Sequence, residues 1–203
     1  MKMKVTAIVL LQLFLISCSG TISSSKKEYQ LTKESKPESD WKFDTKEWSL
    51  ENQIFNGTGS AEHWTAITSK KQLPENYQIT FDVNLTSGNL FEVMLNFEGQ
   101  NYIRTYLYNI DQNIVIGRGT YNKNSDEYGK RGGPTVLKKP FDFSSNVWHK
   151  VKIQVQNKQL QFIVDENTSL ECSLEKQNLS QKGKIGFLTN GKSQIKNLVI
   201  RTL

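Results

Sequence analysis

Three tyrosines and one arginine occupy every second position of a short segment, Asn101–Tyr108, and Ile103, Thr105 and Leu107 lie between them. Because successive side chains of a strand point to opposite faces, these four are predicted to share one outward face. The set is Tyr102, Arg104, Tyr106 and Tyr108. Aromatic rings offer apolar area and a guanidinium offers directional hydrogen bonds, so this face could stack sugar rings and bind their hydroxyl groups. Ordinary cross-strand packing of tyrosines is the alternative.

The preceding segment, Phe91–Phe97, also alternates, and it predicts Glu92, Met94 and Asn96 on its outward face. If the two segments are neighbouring strands of a concave sheet, Glu92, Asn96, Arg104 and Tyr106 share one groove. Trp64, in a Gly- and Ser-rich stretch, is a second candidate sugar platform at a sheet rim. Glycoside hydrolysis ordinarily needs a pair of acidic side chains close together. The sequence has no motif of closely spaced acids on one strand, which counts against a conventional retaining glucanase.

From Trp41 onward the sequence pattern predicts many short strands, which are separated by Gly, Asn, Asp and Pro. A hairpin is predicted from Val147–Val155 and Gln159–Val164, and no segment sustains a helical period over ten residues. Short strands without intervening helices predict an all-β fold of two antiparallel sheets. The length exceeds that of one immunoglobulin-like unit and suits a larger jelly-roll sandwich.

Four motifs in order resemble concanavalin A-like lectin/glucanase domains. They are Trp48–Gly57, Ile67–Val83, Trp148–Ile153, and Gly183–Phe187 followed by Ile195–Ile200. The pattern is most similar to that of 3-keto-disaccharide hydrolase domains of Bacteroidetes-type bacteria. The resemblance implies a concanavalin A-like jelly roll over residues 41–203.

The outward aromatic face favours one function, the resemblance implies a second, and a third is left open. The first is glycan binding at Trp64, Asn96, Arg104, Tyr106 and Tyr108. The second is cleavage of a 3-keto glycoside, with Glu92 as base or metal ligand and Arg104 orienting the substrate. The family's "G-N-S-G" step followed by "Y-E-x-Q" is replaced here by Ser87–Val93, which bears on activity more than on fold. A non-catalytic scaffold is the third.

The first twenty residues are typical of an export signal. Lys2 and Lys4 precede an apolar run that is shorter than a membrane span, and Leu15–Cys18 resembles the lipobox of bacterial lipoproteins. We therefore expect a signal peptide over 1–17 and lipid on Cys18. A flexible Ser-, Lys- and Glu-rich tether is predicted over 18–40. By resemblance, Ser19 after the Cys favours anchoring at the outer membrane or cell surface.

Composition argues against other partner classes. The formal net charge of the whole chain is +6 and falls to +4 without Lys2 and Lys4, and lysines are interspersed with glutamates, so nucleic-acid binding is not expected. Gly186–Ser193 matches a phosphate-binding loop, but a predicted strand follows it, so no nucleotide is expected. The long segment 120–140 is predicted to be a loop with a local excess of basic residues, which could attract acidic sugars.

No cofactor is required by the pattern. Calcium at a turn carrying Asn109, Asp111 and Asn113 is conceivable, although polar residues are common in turns. The two histidines are far apart in sequence and give no zinc signature. Cys172 alternates with leucines and is predicted to be a buried, unreactive thiol.

Overall fold

The computed structural model describes residues 28–31, 35–121 and 133–203. The predicted signal segment, Cys18 and most of the basic part of the predicted loop lie outside these residues. No helix in the described ranges is long and apolar enough to cross a membrane.

Within the described ranges the chain forms fifteen strands, most of them built on alternating apolar and polar residues, and one helical turn, α1 (Pro37–Asp40), precedes the second strand. The strands are β1 (Glu28–Gln30), β2 (Trp41–Lys42), β3 (Trp48–Glu51), β4 (Ile54–Thr58), β5 (Thr65–Gln72), β6 (Tyr77–Ser87), β7 (Leu90–Glu98), β8 (Asn101–Tyr108), β9 (Asn113–Thr120), β10 (Thr135–Pro140), β11 (Trp148–Gln156), β12 (Gln159–Val164), β13 (Thr168–Ser173), β14 (Lys184–Thr189) and β15 (Lys192–Thr202).

The strands form two antiparallel sheets. The seven-stranded sheet has the order β10-β9-β8-β7-β14-β5-β2, and the eight-stranded sheet has the order β13-β12-β11-β6-β15-β4-β3, with β1 paired to β15. The predicted all-β sandwich is confirmed. The predicted hairpin is also present, as β11 and β12.

One hydrophobic core fills the space between the sheets. At its centre the ring of Phe187 stacks on Trp41 with centroids 5.7 Å apart and on Phe91 at 6.0 Å, and it meets Phe81 edge-on at 5.4 Å. Aromatic pairs at such spacings stabilise a core beyond the area they bury. Cys172, the free cysteine of the described chain, is buried, and burial raises the pKa of its thiol, as expected for an unreactive group.

The amino-terminal boundary of the domain differs from the prediction. Residues 28–30 form β1 and pair with β15, and Leu31 is buried in the core. The Nε1 group of Trp41 donates a hydrogen bond of 2.9 Å to the hydroxyl of Tyr29. Part of the segment predicted to be a tether is therefore built into the eight-stranded sheet.

The segment predicted to be a long loop also contains a strand. β10 pairs with β9, with a register irregularity between Thr135 and Leu137, and it forms the edge of the seven-stranded sheet. The exposed Lys138 of β10 pairs with Val115 of β9. The sequence did not indicate this strand because its second half carries lysines and a proline rather than an alternating pattern.

Candidate functional site

The outer face of the seven-stranded sheet carries all the predicted glycan-binding and catalytic residues except Asn96, and it is largely covered by aromatic side chains. Register aligns Tyr106 with Glu92 and Leu188, and Arg104 with Met94 and Gly186. An apolar cluster, which we call the outer cluster, covers this face. Its buried members are Trp64, Leu90, Met94, Tyr102 and Leu188, and its half-buried members are Ala66, Phe97, Tyr106, Tyr108 and Tyr121.

A buried ion pair lies within the outer cluster. Nε and Nη2 of Arg104 donate hydrogen bonds to Oε2 of Glu92 at 2.9 and 2.7 Å, and the Tyr102 hydroxyl donates to Oε1 at 2.6 Å. The side chain of Glu92 is 0% exposed and that of Arg104 is 10% exposed. Both residues lie on the predicted face, but Glu92 is sealed and fully engaged. In this arrangement its carboxylate holds Arg104 and Tyr102 in place.

Burial and mutual contact shift the pKa values of two groups in this cluster, Tyr102 and Arg104. Burial and then the neighbouring Glu92 charge raise the pKa of Tyr102, so its hydroxyl stays protonated and continues to donate. Burial lowers the pKa of Arg104, but the Glu92 carboxylate more than offsets this, and the net shift is upward. Arg104 therefore keeps its charge and Tyr102 keeps its proton, so both side chains continue to donate to the Glu92 carboxylate.

Glycines opposite β8 make the cluster possible. Gly117 and Gly119 are the β9 partners of Arg104 and Tyr102. A Cβ atom at Gly119 would lie 2.3 Å from Cζ of Tyr102 and 2.6 Å from Cγ of Arg104, which is closer than non-bonded atoms approach. The absence of a side chain lets the Tyr102 and Arg104 side chains lie across β9.

Asn96 does not face this surface, contrary to the prediction. The register of β7 shifts between Leu95 and Glu98, and Asn96 has φ of 51°. The extra residue of a bulge reverses the alternation after it. The Asn96 side chain is buried, accepting a hydrogen bond from the Tyr77 hydroxyl at 3.1 Å and donating to the Ser180 carbonyl at 2.8 Å. Phe97, predicted to be inward, joins the outer cluster instead.

The remaining predicted platforms lie on the outer face. Trp64 is 9% exposed, and its Nε1 donates to the Ala61 carbonyl at 3.2 Å, so it is largely covered. Tyr106 and Tyr108 are half-buried and meet edge-on with centroids 6.4 Å apart. The guanidinium carbon of Arg104 lies 4.4 Å from the centre of the Tyr106 ring, so the ion pair also supports this tyrosine.

A groove of about 670 Å³ opens on the same face, beside the outer cluster. Phe97 and Tyr121 supply aromatic walls, Ala66 and Thr68 lie on its β5 side, and Asp44 contributes a carboxylate. Oδ1 of Asp44 accepts a hydrogen bond from the backbone nitrogen of Lys46 at 2.9 Å. Apolar walls with a few polar groups suit a sugar-sized ligand.

Sequence reasoning missed the residues of this groove. Asp44 lies in a turn outside any alternating run, and Phe97 was assigned to the wrong face because of the bulge. A usable signal was present at Gly119, since a glycine inside a strand marks a position where neighbouring groups approach the backbone closely.

The described residues do not bring together a set of metal-binding side chains. No group of three or more His, Cys, Asp or Glu side chains there is placed to hold an ion. At the proposed calcium turn, Nδ2 of Asn109 donates to the Gly88 carbonyl at 3.2 Å and Nδ2 of Asn113 donates to the Asp111 carbonyl at 2.6 Å. These amides serve the turn itself.

Comparison with known families agrees with this architecture. The model of the 3-keto-alpha-glucoside-1,2-lyase-like domain matches residues 32–201. The chain belongs to this family. No curated protein sequence matches the chain significantly.

Solved structures place this lyase-like domain among jelly-roll folds. The carbohydrate-binding module CBM66 from Bacillus subtilis is similar with a TM-score of 0.65 and 11% identity, over 80% of this chain and 96% of that one. The β-glucanase of Bacillus licheniformis has a TM-score of 0.61 and 10% identity, over 87% and 98%. The potassium-bound carbohydrate recognition domain of Emp46p has a TM-score of 0.60 and 13% identity, over 85% and 96%. At these identities the similarity concerns the fold.

Proposed function

We propose that this lyase-like domain binds glycans on the outer face of its seven-stranded sheet. The observation that carries the proposal is the groove between Phe97 and Tyr121, which joins aromatic walls to the carboxylate of Asp44. The neighbouring Tyr106 extends the aromatic surface, and the buried ion pair beneath it holds that surface rigid. Two structures of similar fold are a carbohydrate-binding module and a carbohydrate recognition domain, which is consistent with this proposal.

Replacing Tyr121 with alanine is expected to weaken glycan binding by about tenfold, because large aromatic contacts dominate the binding energy of such sites. A glycan array identifies the ligand, and affinity gel electrophoresis on that glycan measures the loss. Tyr106→Ala is expected to act in the same direction. Ile110→Ala is the matched control, since Ile110 is 61% exposed on the β8–β9 turn. Unchanged retention of Tyr121→Ala and Tyr106→Ala would remove the proposed site.

Cleavage of a 3-keto glycoside is the second candidate, favoured by the family match over residues 32–201. Because Glu92 is sealed, the carboxylate available to a ligand in the groove is that of Asp44. Turnover of a 3-keto-α-glucoside would then be lost in Asp44→Asn. A wild-type chain that releases no product, while still binding glycan, would leave binding as the function.

We further propose that the protein is exported and held at the outer membrane or cell surface by lipid on Cys18. The support is the order of charge, apolar run and lipobox-like residues in the sequence. Nine residues lie between Cys18 and Glu28, so the ten residue-to-residue steps would hold the domain within about 35 Å of the lipid attachment. Cys18→Ala is expected to abolish labelling with radioactive palmitate and to release the protein from the membrane fraction. Equal labelling of the variant would refute lipidation at this residue.

A further inference from the structure

The outer face of the eight-stranded sheet carries a feature that the glycan site does not use. Of the four tryptophans, Trp41, Trp48 and Trp64 are buried, whereas Trp148 is 36% exposed at the start of β11. Val151, Ile153 and Val155 of this strand are buried in the core, so alternation places the side chain of Trp148 on the outer face. Nζ of Lys196 lies 3.9 Å from the centre of its ring.

Asn84 lies directly opposite Trp148 in the sheet register, and Gln194 follows on the next strand. Asn84 is only 7% exposed, and its Oδ1 has no hydrogen-bond partner within the described chain. A buried amide oxygen without a donor is costly and uncommon. A hydroxyl group of a bound ligand is a donor that would satisfy it.

Beside these residues a groove of about 410 Å³ crosses the next rows of the sheet. It is lined by Lys150, Lys152, Asp82 and Glu166 among others. Oδ2 of Asp82 accepts a hydrogen bond from Nδ2 of Asn197 at 2.6 Å, so this carboxylate is already engaged.

The amines of this groove are available to an anion. Nζ of Lys150 is 4.0 Å from Oε1 of Glu166, and both side chains are mostly exposed. Exposed pairs at this separation interact weakly. With Lys196 above Trp148, the face presents several ammonium groups beside one exposed aromatic ring.

We propose that Trp148, Asn84 and Lys196 form a second binding site, for an acidic sugar of the uronate class, independent of the glycan site on the opposite sheet. The C–H face of the sugar stacks on the indole in place of the Lys196 ammonium, which moves to the sugar carboxylate. A sugar hydroxyl donates to Oδ1 of Asn84. Lys150 binds the carboxylate of the adjoining sugar unit along the groove.

The test is a titration of the chain from Ser19 onward with tri-galacturonate, and with its neutral methyl ester as the matched ligand. Acrylamide quenching of tryptophan fluorescence follows binding, because Trp148 is the exposed tryptophan and a bound sugar shields it. We expect tri-galacturonate to protect the wild type, and the methyl ester to bind at least about fivefold more weakly.

Variants separate stacking from charge. Trp148→Ala should bind tri-galacturonate about tenfold more weakly by calorimetry, and Lys196→Gln about fivefold, whereas Trp148→Phe should recover part of the loss. Val147→Ala is the control, because Val147 is the adjacent exposed residue. Equal affinity for both ligands, no binding by the wild type, or wild-type affinity in Trp148→Ala would overturn the proposal.

Tyr121→Ala distinguishes this site from the groove on the seven-stranded sheet. It should leave tri-galacturonate binding unchanged while reducing retention on the glycan found by the array. Loss of tri-galacturonate binding in Tyr121→Ala, with none in Trp148→Ala, would assign the acidic sugar to the first groove and refute the second site.

Discussion

Arg104→Met is expected to lower the free energy of unfolding by about 3–5 kcal/mol, because it leaves the Glu92 carboxylate buried without its counter-charge. Glu92 has no exposed side-chain area, and two of the three hydrogen bonds to its carboxylate come from Arg104. Urea denaturation followed by tryptophan fluorescence measures the change. The slope with urea shows whether the transition stays two-state.

Two further variants test the cause of this loss. Arg201→Met makes the same substitution at an arginine whose ion pair with Glu28 is exposed. It should lower the free energy of unfolding by no more than about 1 kcal/mol. Glu92→Gln combined with Arg104→Met removes the buried charge and keeps an acceptor for Tyr102. The double variant should therefore recover more than half of the stability lost by Arg104→Met. If Arg104→Met lowers the free energy of unfolding as little as Arg201→Met does, the Glu92 carboxylate becomes solvated in the variant and the proposed cause is wrong.

The same variants connect stability to binding. Arg104 supports the ring of Tyr106 from 4.4 Å, so the double variant is expected to bind glycan more weakly even where folding is restored. Glu92 and Arg104 act here as positioning residues. Wild-type glycan affinity in the double variant would show that the aromatic surface does not depend on them.

A chain that starts at Trp41 is expected to be less stable than one that starts at Glu28 by about 3 kcal/mol or more. It lacks β1, whose residues pair with β15, and it lacks Leu31, which is 4% exposed. It also leaves the core side of Trp41 uncovered, where Tyr29 packs at a centroid distance of 6.3 Å. Thermal and urea unfolding of the two chains measure the difference.

Point variants in the longer chain separate the contributions. Leu31→Ala should cost about 2–5 kcal/mol, the range for a leucine removed from a core, and Tyr29→Phe about 1 kcal/mol for the lost hydrogen bond to Trp41. Gln30→Ala is the control, because Gln30 is the exposed residue of the same strand. Equal free energies of unfolding for the chains that start at residues 28 and 41 would show that β1 and Leu31 do not stabilise the domain.

Alternation along the sequence was sufficient for the fold, because each long strand packs one face against the core. It assigned Glu92, Arg104, Tyr106 and Tyr108 to the correct face. It could not show that Glu92 is sealed, since burial depends on how the Tyr102 and Arg104 side chains of the neighbouring strand close on its carboxylate. β1 was missed because three residues are too few to establish a period and the surrounding composition is polar.

The bulge at Asn96 explains the largest error in the candidate site. Asparagine tolerates a positive φ, but nothing in an alternating pattern marks which asparagine adopts it. One extra residue moved Asn96 to the core side and Phe97 to the outer face, and the groove depends on that exchange. Likewise, whether Asp44 reaches the groove depends on how the turn after β2 packs, which is a tertiary property.

The positions of the last two strands along the chain have a consequence for folding. β14 lies between β7 and β5, and β15 lies between β6 and β4, so both are central in their sheets. A chain in which residues 184–202 have not yet taken their places holds two half-sheets with open inner edges. Such edges invite pairing with other chains. The two sheets are therefore completed only when the last two strands insert, and a chaperone that shields β6 and β7 until then would protect the chain from aggregation.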